Sequence, residues 1–94
     1  MKVKNTFTFD SLHVRLPEKI RRMMDGTPYL HVNHQESIRI IKIYFPSWQY
    51  NGAAPFEEVC SWCEDRFGDD WIWNFETIYF KREEDRTAFL LRWT

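Results

Sequence analysis

This chain has almost no excess of charge of either sign. Thirteen Lys and Arg stand against fourteen Asp and Glu over 94 residues, a net charge of −1. No field therefore draws it toward DNA, RNA or an anionic membrane. Long apolar runs are also missing, and nothing approaches the ~20 residues of a membrane span. The opening Met1-Lys2-Val3-Lys4-Asn5-Thr6 lacks the apolar stretch of a signal peptide. Two cysteines, Cys60 and Cys63, are too few for a disulfide framework, and the expected compartment is a reducing cytoplasm. The only glycines are Gly26, Gly52 and Gly68. Each suits a turn or helix cap, and none belongs to a phosphate-cradling loop. No internal repeat, low-complexity tract or flexible linker is present.

What the chain has in quantity is aromatic surface. Eight Phe, five Trp and four Tyr compensate for a short chain, which buries only about 60–65% of its unfolded surface. Each such ring can bury ~150–250 Å². Many aromatics at near-zero net charge favour association, with a second copy or with another protein.

Residues 5–16 alternate in pieces and read as extended structure, with Asp10-Ser11 as a turn. Pro17 suits a first helical position, and a helix running to Asp25 would be closed by Gly26. Tyr29–Val32 reads as a short strand and Asn33-His34-Gln35-Glu36 as a turn. Ile38–Phe45 reads as a long strand whose phase changes, with Ile38 and Ile40 on one face and Ile41, Ile43 and Phe45 on the other. Either both faces are partly covered or a bulge sits near Ile40–Ile41, and cover on both faces is the favoured expectation. Pro46–Ala54 reads as a loop.

The helix Pro55–Phe67 has the sharpest signal. Phe56, Val59, Cys60, Cys63 and Phe67 follow one face of a 3.6-residue period, and Gly68 is a ready cap. Asp70–Asn74 and Thr77–Lys81 form a hairpin bent near Phe75-Glu76. Glu83-Glu84-Asp85 opens a last helix to Leu90, with Ala88, Phe89 and Leu91 inward, before a terminal strand Leu91–Trp93. The order strand, helix, strand, strand, helix, strand is the split βαβ of ferredoxin-like domains. The expected fold is a single α+β domain over 1–94: an N-terminal strand/helix elaboration over 1–36 and a ferredoxin-like unit over 37–94. That fold hosts many unrelated functions and assigns none.

Candidate chemistry is sparse. Cys60-Ser61-Trp62-Cys63 is a CxxC, yet redox thiols sit at helix N-termini, where the dipole lowers their pKa. Cys60 lies more than a turn into its helix, among acids. Zinc would need two further ligands, such as His31 and His34, but on one strand these point to opposite faces. Ser11 near Asp10 and His13 is adjacency, not a triad. A hydrolase or nuclease using His13, His31 or His34 lacks a recognisable site. No catalytic residue, cofactor or metal site is expected.

Phe75–Phe80 has part of the cadence of the central strand of RNA recognition motifs, whose exposed aromatics stack bases. Tyr44 and Tyr79 would be the stacking residues here. Trp73 and Asn74 replace the basic residue and glycine, Glu76 would repel phosphate, and Lys42 takes an aromatic's place. Trp48 and Tyr50 in the loop, and Trp62 with Arg66 at the helix edge, are instead the residue types that anchor protein interfaces.

Phe67-Gly68-Asp69-Asp70-Trp71-Ile72-Trp73, Tyr79-Phe80-Lys81-Arg82-Glu83-Glu84-Asp85 and Ala88-Phe89-Leu90-Leu91-Arg92-Trp93 resemble the C-terminal half of short proteins of tailed bacteriophages. The shared cadence is an FG-x-x-W turn, a YF strand end, an acidic helix start and a closing AF-x-LRW, covering about the last forty residues. Arg86 departs from it, standing where a small residue often occurs. The resemblance implies a viral protein of the host cytoplasm and carries no activity. The resulting expectation is a non-catalytic protein-binding module that engages a host or viral protein, or itself, through Trp48, Tyr50, Trp62 and Arg66. The alternative is an RNA- or single-strand-binding protein with an RRM-like sheet.

Overall fold

The computed structural model describes residues 6–8 and 29–94. In chain order the elements are β1 (Thr6–Thr8), β2 (Tyr29–His31), α1 (Gln35–Tyr44), β3 (Ser47–Gln49), α2 (Phe56–Phe67), β4 (Trp71–Asn74), β5 (Thr77–Phe80) and α3 (Glu83–Trp93). The expected turn at Asp10-Ser11, the helix Pro17–Asp25 and its Gly26 cap lie outside the described residues, as does His13.

β1 and β2 pair antiparallel, with Phe7 opposite Leu30. The second sheet has the order β3-β5-β4. Both outer strands run antiparallel to β5, so they are parallel to each other with β5 between them. α2 connects them. That is a split βαβ, and the structure is a small α+β fold. Its first strand, however, is not the expected one.

Ile38–Phe45, expected as a strand, is helical. Its phase change has a simple cause: Ser37, Ile40 and Ile41 are buried and Phe45 lies beneath the same stripe, a 3.6-residue spacing, whereas Ile43 is 72% exposed. His34 starts the helix. Its Nδ1 accepts a hydrogen bond from the Ser37 N–H at 3.4 Å, as a capping side chain does. Glu36 in the first turn and Lys42 in the last complement the helix dipole. Pro46 ends the helix by forcing Phe45 into extended backbone (φ −110°, ψ 139°). The strand that replaces it, Ser47–Gln49, lies inside the expected loop Pro46–Ala54.

The terminal strand Leu91–Trp93 is also absent. α3 continues through it, so the three-stranded sheet does not gain a fourth strand there. Phe89 and Trp93 stack one turn apart at 6.3 Å, and Leu91, expected inward, is 84% exposed.

Alternation along the strands gives the sheet two apolar faces. Ile72 and Tyr79 are paired and pack on one face with Leu30, Val32, Ile40, Ile41 and Phe45 from β2, α1 and its C-terminal end. Trp71, Ile78 and Phe80 point the other way, against Val59, Cys60 and Cys63 of α2 and Phe89 of α3. α2 keeps its expected face inward. It ends at Gly68, whose φ of 60° and ψ of −114° fall where only glycine sits without strain. The hairpin turns through Phe75-Glu76, and Phe75 adopts a φ of 55°. A bulky side chain there is a backbone outlier, costing on the order of 1–2 kcal/mol.

Candidate functional site

The aromatic side chains on the α2/α3 face of the sheet form one connected row. Trp48 leaves β3 on that face, opposite Ile78. Its ring lies 4.8 Å from the Phe89 ring. Phe89 also contacts Phe80 at 5.1 Å and Trp62 at 5.9 Å. Trp62 in turn meets Phe67 at 5.6 Å and Trp93 at 6.2 Å, both edge to face. The Arg66 guanidinium lies 6.0 Å from the Trp62 ring centroid, at the outer limit of a cation–π contact.

At the other end of the row, Tyr50 packs edge-on against Trp48 at 6.1 Å and Phe56 at 5.0 Å. Its hydroxyl donates to the carbonyl of Ala54, which closes the Tyr50–Ala54 loop. Phe56 continues to Trp73 at 5.4 Å. Trp48, Tyr50, Trp62 and Arg66 are thus brought into one chain of contacts, with Phe89 as the link between the two pairs. Trp48, Tyr50 and Trp62 are half-buried and Arg66 is exposed. The sequence marks all four, but not the link through Phe89, which exists only once α3 crosses the sheet. The exposed Phe75 at the hairpin tip also escapes a reading based on periodicity, because a turn has none.

Tyr44 and Tyr79 do not share a surface. Tyr44 is 43% exposed on α1, whereas Tyr79 is 4% exposed beneath it. The sheet face that an RRM-like protein would open to bases is covered here by α1 and β2. Burial raises the Tyr79 phenol above its ordinary value, against a weaker downward pull from its hydrogen bond with Thr77.

Cys60 and Cys63 face the core at 4% and 0% exposure. Burial, then the Glu57 charge, pushes the Cys60 thiol up to about 12. Burial, Cys60 and Glu64 push Cys63 higher still. These are protonated thiols, without the thiolate that nucleophilic or redox chemistry needs. His34 is committed to capping α1, and His31 lies in β2. Among the described residues no three His, Cys, Asp or Glu side chains are grouped to hold a metal ion. No helix among them is long and apolar enough to cross a membrane.

A second cluster is ionic. Asp70 lies between Lys81 at 3.6 Å and Arg82 at 3.0 Å, and Arg82 also reaches Asp85 at 3.4 Å. Burial raises the Asp85 carboxyl, against the opposing pull of Arg82. The cluster joins the Asp69-Asp70 turn to the start of α3. No family model, curated protein or solved structure matches this chain.

Proposed function

We propose that this protein is a non-catalytic protein-binding module whose contact surface runs along the aromatic row at Trp48, Tyr50, Trp62 and Arg66. The observation that carries the reading is the packing of Trp62. Its ring is fixed by Phe67, Phe89 and Trp93 yet stays half-buried, with the exposed Arg66 beside it. Rigid, partly exposed Trp and Tyr next to Arg are typical interface anchors, because little side-chain freedom remains to be lost on binding. The raised thiols support a non-catalytic reading of the CxxC. The resemblance of the last forty residues to tailed-phage proteins directs the search for a partner to host and viral proteins in the host cytoplasm. On the same footing, the split βαβ is read as a ferredoxin-like half without its closing strand.

The test is quantitative affinity capture from phage-infected bacteria, comparing wild type with Arg66→Glu and Trp62→Phe. Both variants keep the buried Val59, Cys60 and Cys63 of α2, and Trp62→Phe keeps an aromatic ring against Phe89. The expected result is a partner enriched by wild type and reduced about tenfold or more by each variant, as for interface anchors, with the thermal midpoint unchanged in Arg66→Glu and only slightly lowered in Trp62→Phe. Equal capture by all three proteins would reject this surface. Capture of nucleic acid, weakening steeply with salt, would reject the protein-binding reading itself.

A further inference from the structure

The hairpin tip carries a feature that the core does not explain. Phe75 is 84% exposed and holds a φ of 55°, in a two-residue loop between the paired Asn74 and Thr77. Glycine or asparagine would fill that position without strain and without showing a phenyl ring to water. An exposed aromatic in a strained conformation is a reason to look for a function there.

The described charge next to it in the turn is acidic. Glu76 follows Phe75 and is exposed. Its carbonyl accepts from the Tyr50 N–H at 2.8 Å, which ties the tip to the Tyr50 loop. Tyr50 rests on Phe56 at the start of α2, and the exposed Glu57 and Glu58 come next. Lys81, Arg82 and Arg86 lie toward the opposite end of the hairpin, where they pair with Asp70, Asp85 and Glu83. A tip of one apolar ring beside a carboxylate opposes a second copy of itself, since a two-fold contact would set Glu76 near Glu76.

We infer that Phe75 is the anchor of a contact with a different protein, one that offers an apolar pocket rimmed by Lys or Arg. The inference rests on the protein-binding reading and adds to it the chemistry of the partner. Phe75 fills the pocket, and Glu76, with the acids at the start of α2, sets orientation and rate of encounter. The strained loop holds the ring out from the sheet.

The experiment uses a displayed library of random peptides selected on the full chain, with counter-selection on Phe75→Gly. The expected peptides combine apolar residues with Lys or Arg. They should bind Phe75→Gly about 30-fold or more weakly, the loss usual for an anchor. Glu76→Lys should weaken them too, and added salt should slow their association. Phe75→Gly should keep or raise the thermal midpoint, because glycine relaxes the turn. Absence of such peptides, or peptides that bind Phe75→Gly equally well, would overturn the inference. So would self-association, seen by sedimentation, that Phe75→Gly abolishes. If Phe75→Gly still captures the partner that Arg66→Glu loses, the Phe75 anchor falls and the protein-binding reading stands.

Discussion

Lys81 and Asp70 are joined twice. The Lys81 N–H donates to the Asp70 carbonyl at 3.1 Å, and the Lys81 ammonium lies 3.6 Å from the Asp70 carboxylate with its own side chain only 6% exposed. The backbone bond extends the β4–β5 ladder past Phe80. The side-chain pair neutralises a charge that the sheet end has taken out of water.

Removing one partner of that pair should therefore cost more than removing both. Asp70→Asn leaves a buried ammonium unpaired. The expected loss is toward the lower end of about 3–5 kcal/mol, because Asp70 itself is partly exposed. The double variant Asp70→Asn, Lys81→Met should recover much of it. Urea unfolding of the two variants measures this. Equal losses would mean that Lys81 reaches solvent without its partner.

The cysteines should behave as core residues. A thiol reagent should modify Cys60 and Cys63 slowly in native buffer and quickly in denaturant. Cys63→Ala should cost about 1 kcal/mol as a small truncation; Cys63→Ser should cost more, since its hydroxyl would enter an apolar site. The raised pKa values also fix a sign. An unfolded thiol ionises near 9.0, while the folded thiols stay protonated to about 12 and beyond. Stability from this source is complete below the unfolded value and falls as pH rises above it. The gap in thermal midpoint between wild type and the Cys60→Ala, Cys63→Ala double variant should narrow from neutral to alkaline pH, with wild type losing more. Parallel curves would contradict the buried-thiol assignment.

Trp48 and Trp62 meet at Phe89, so neither is a free anchor. Trp48→Ala and Trp62→Ala should each destabilise, below the 3–5 kcal/mol of a fully buried Trp because both are half-buried, and still by about 1–3 kcal/mol. Their double variant should be non-additive, because both remove support from the same ring. Arg66→Ala should leave the midpoint almost unmoved, as an exposed cation near a ring contributes about 0.5–1 kcal/mol at most. A Trp62→Ala variant as stable as wild type would place its ring outside the core.

Local sequence alone determined α2 and the hairpin. In α2 the spacing of Phe56, Val59, Cys60, Cys63 and Phe67 and the glycine at 68 agree, and no competing period fits. Asn74 through Thr77 is likewise a turn between two alternating runs, and it forms where expected. The candidate residues Trp48, Tyr50, Trp62 and Arg66 were also visible, as aromatic and cationic side chains outside the helix-face pattern. Tertiary structure decided the rest. Ile38–Phe45 is rich in β-branched residues that favour strands, but it is helical because Ile40 and Ile41 together meet Tyr79 and Ile72 across the sheet. Leu91–Trp93 stays helical because Trp93 reaches Trp62 and Phe89 only by continuing α3. Three residues within a loop became the edge strand β3 because β5 offered its N–H and carbonyl groups to them. Whether Trp48 and Trp62 belong to one surface depended on Phe89, a contact between distant parts of the chain. Local propensity is worth a few tenths of a kcal/mol per residue, and burial of one large side chain about 1.5–3 kcal/mol, so packing overrides it wherever the two disagree.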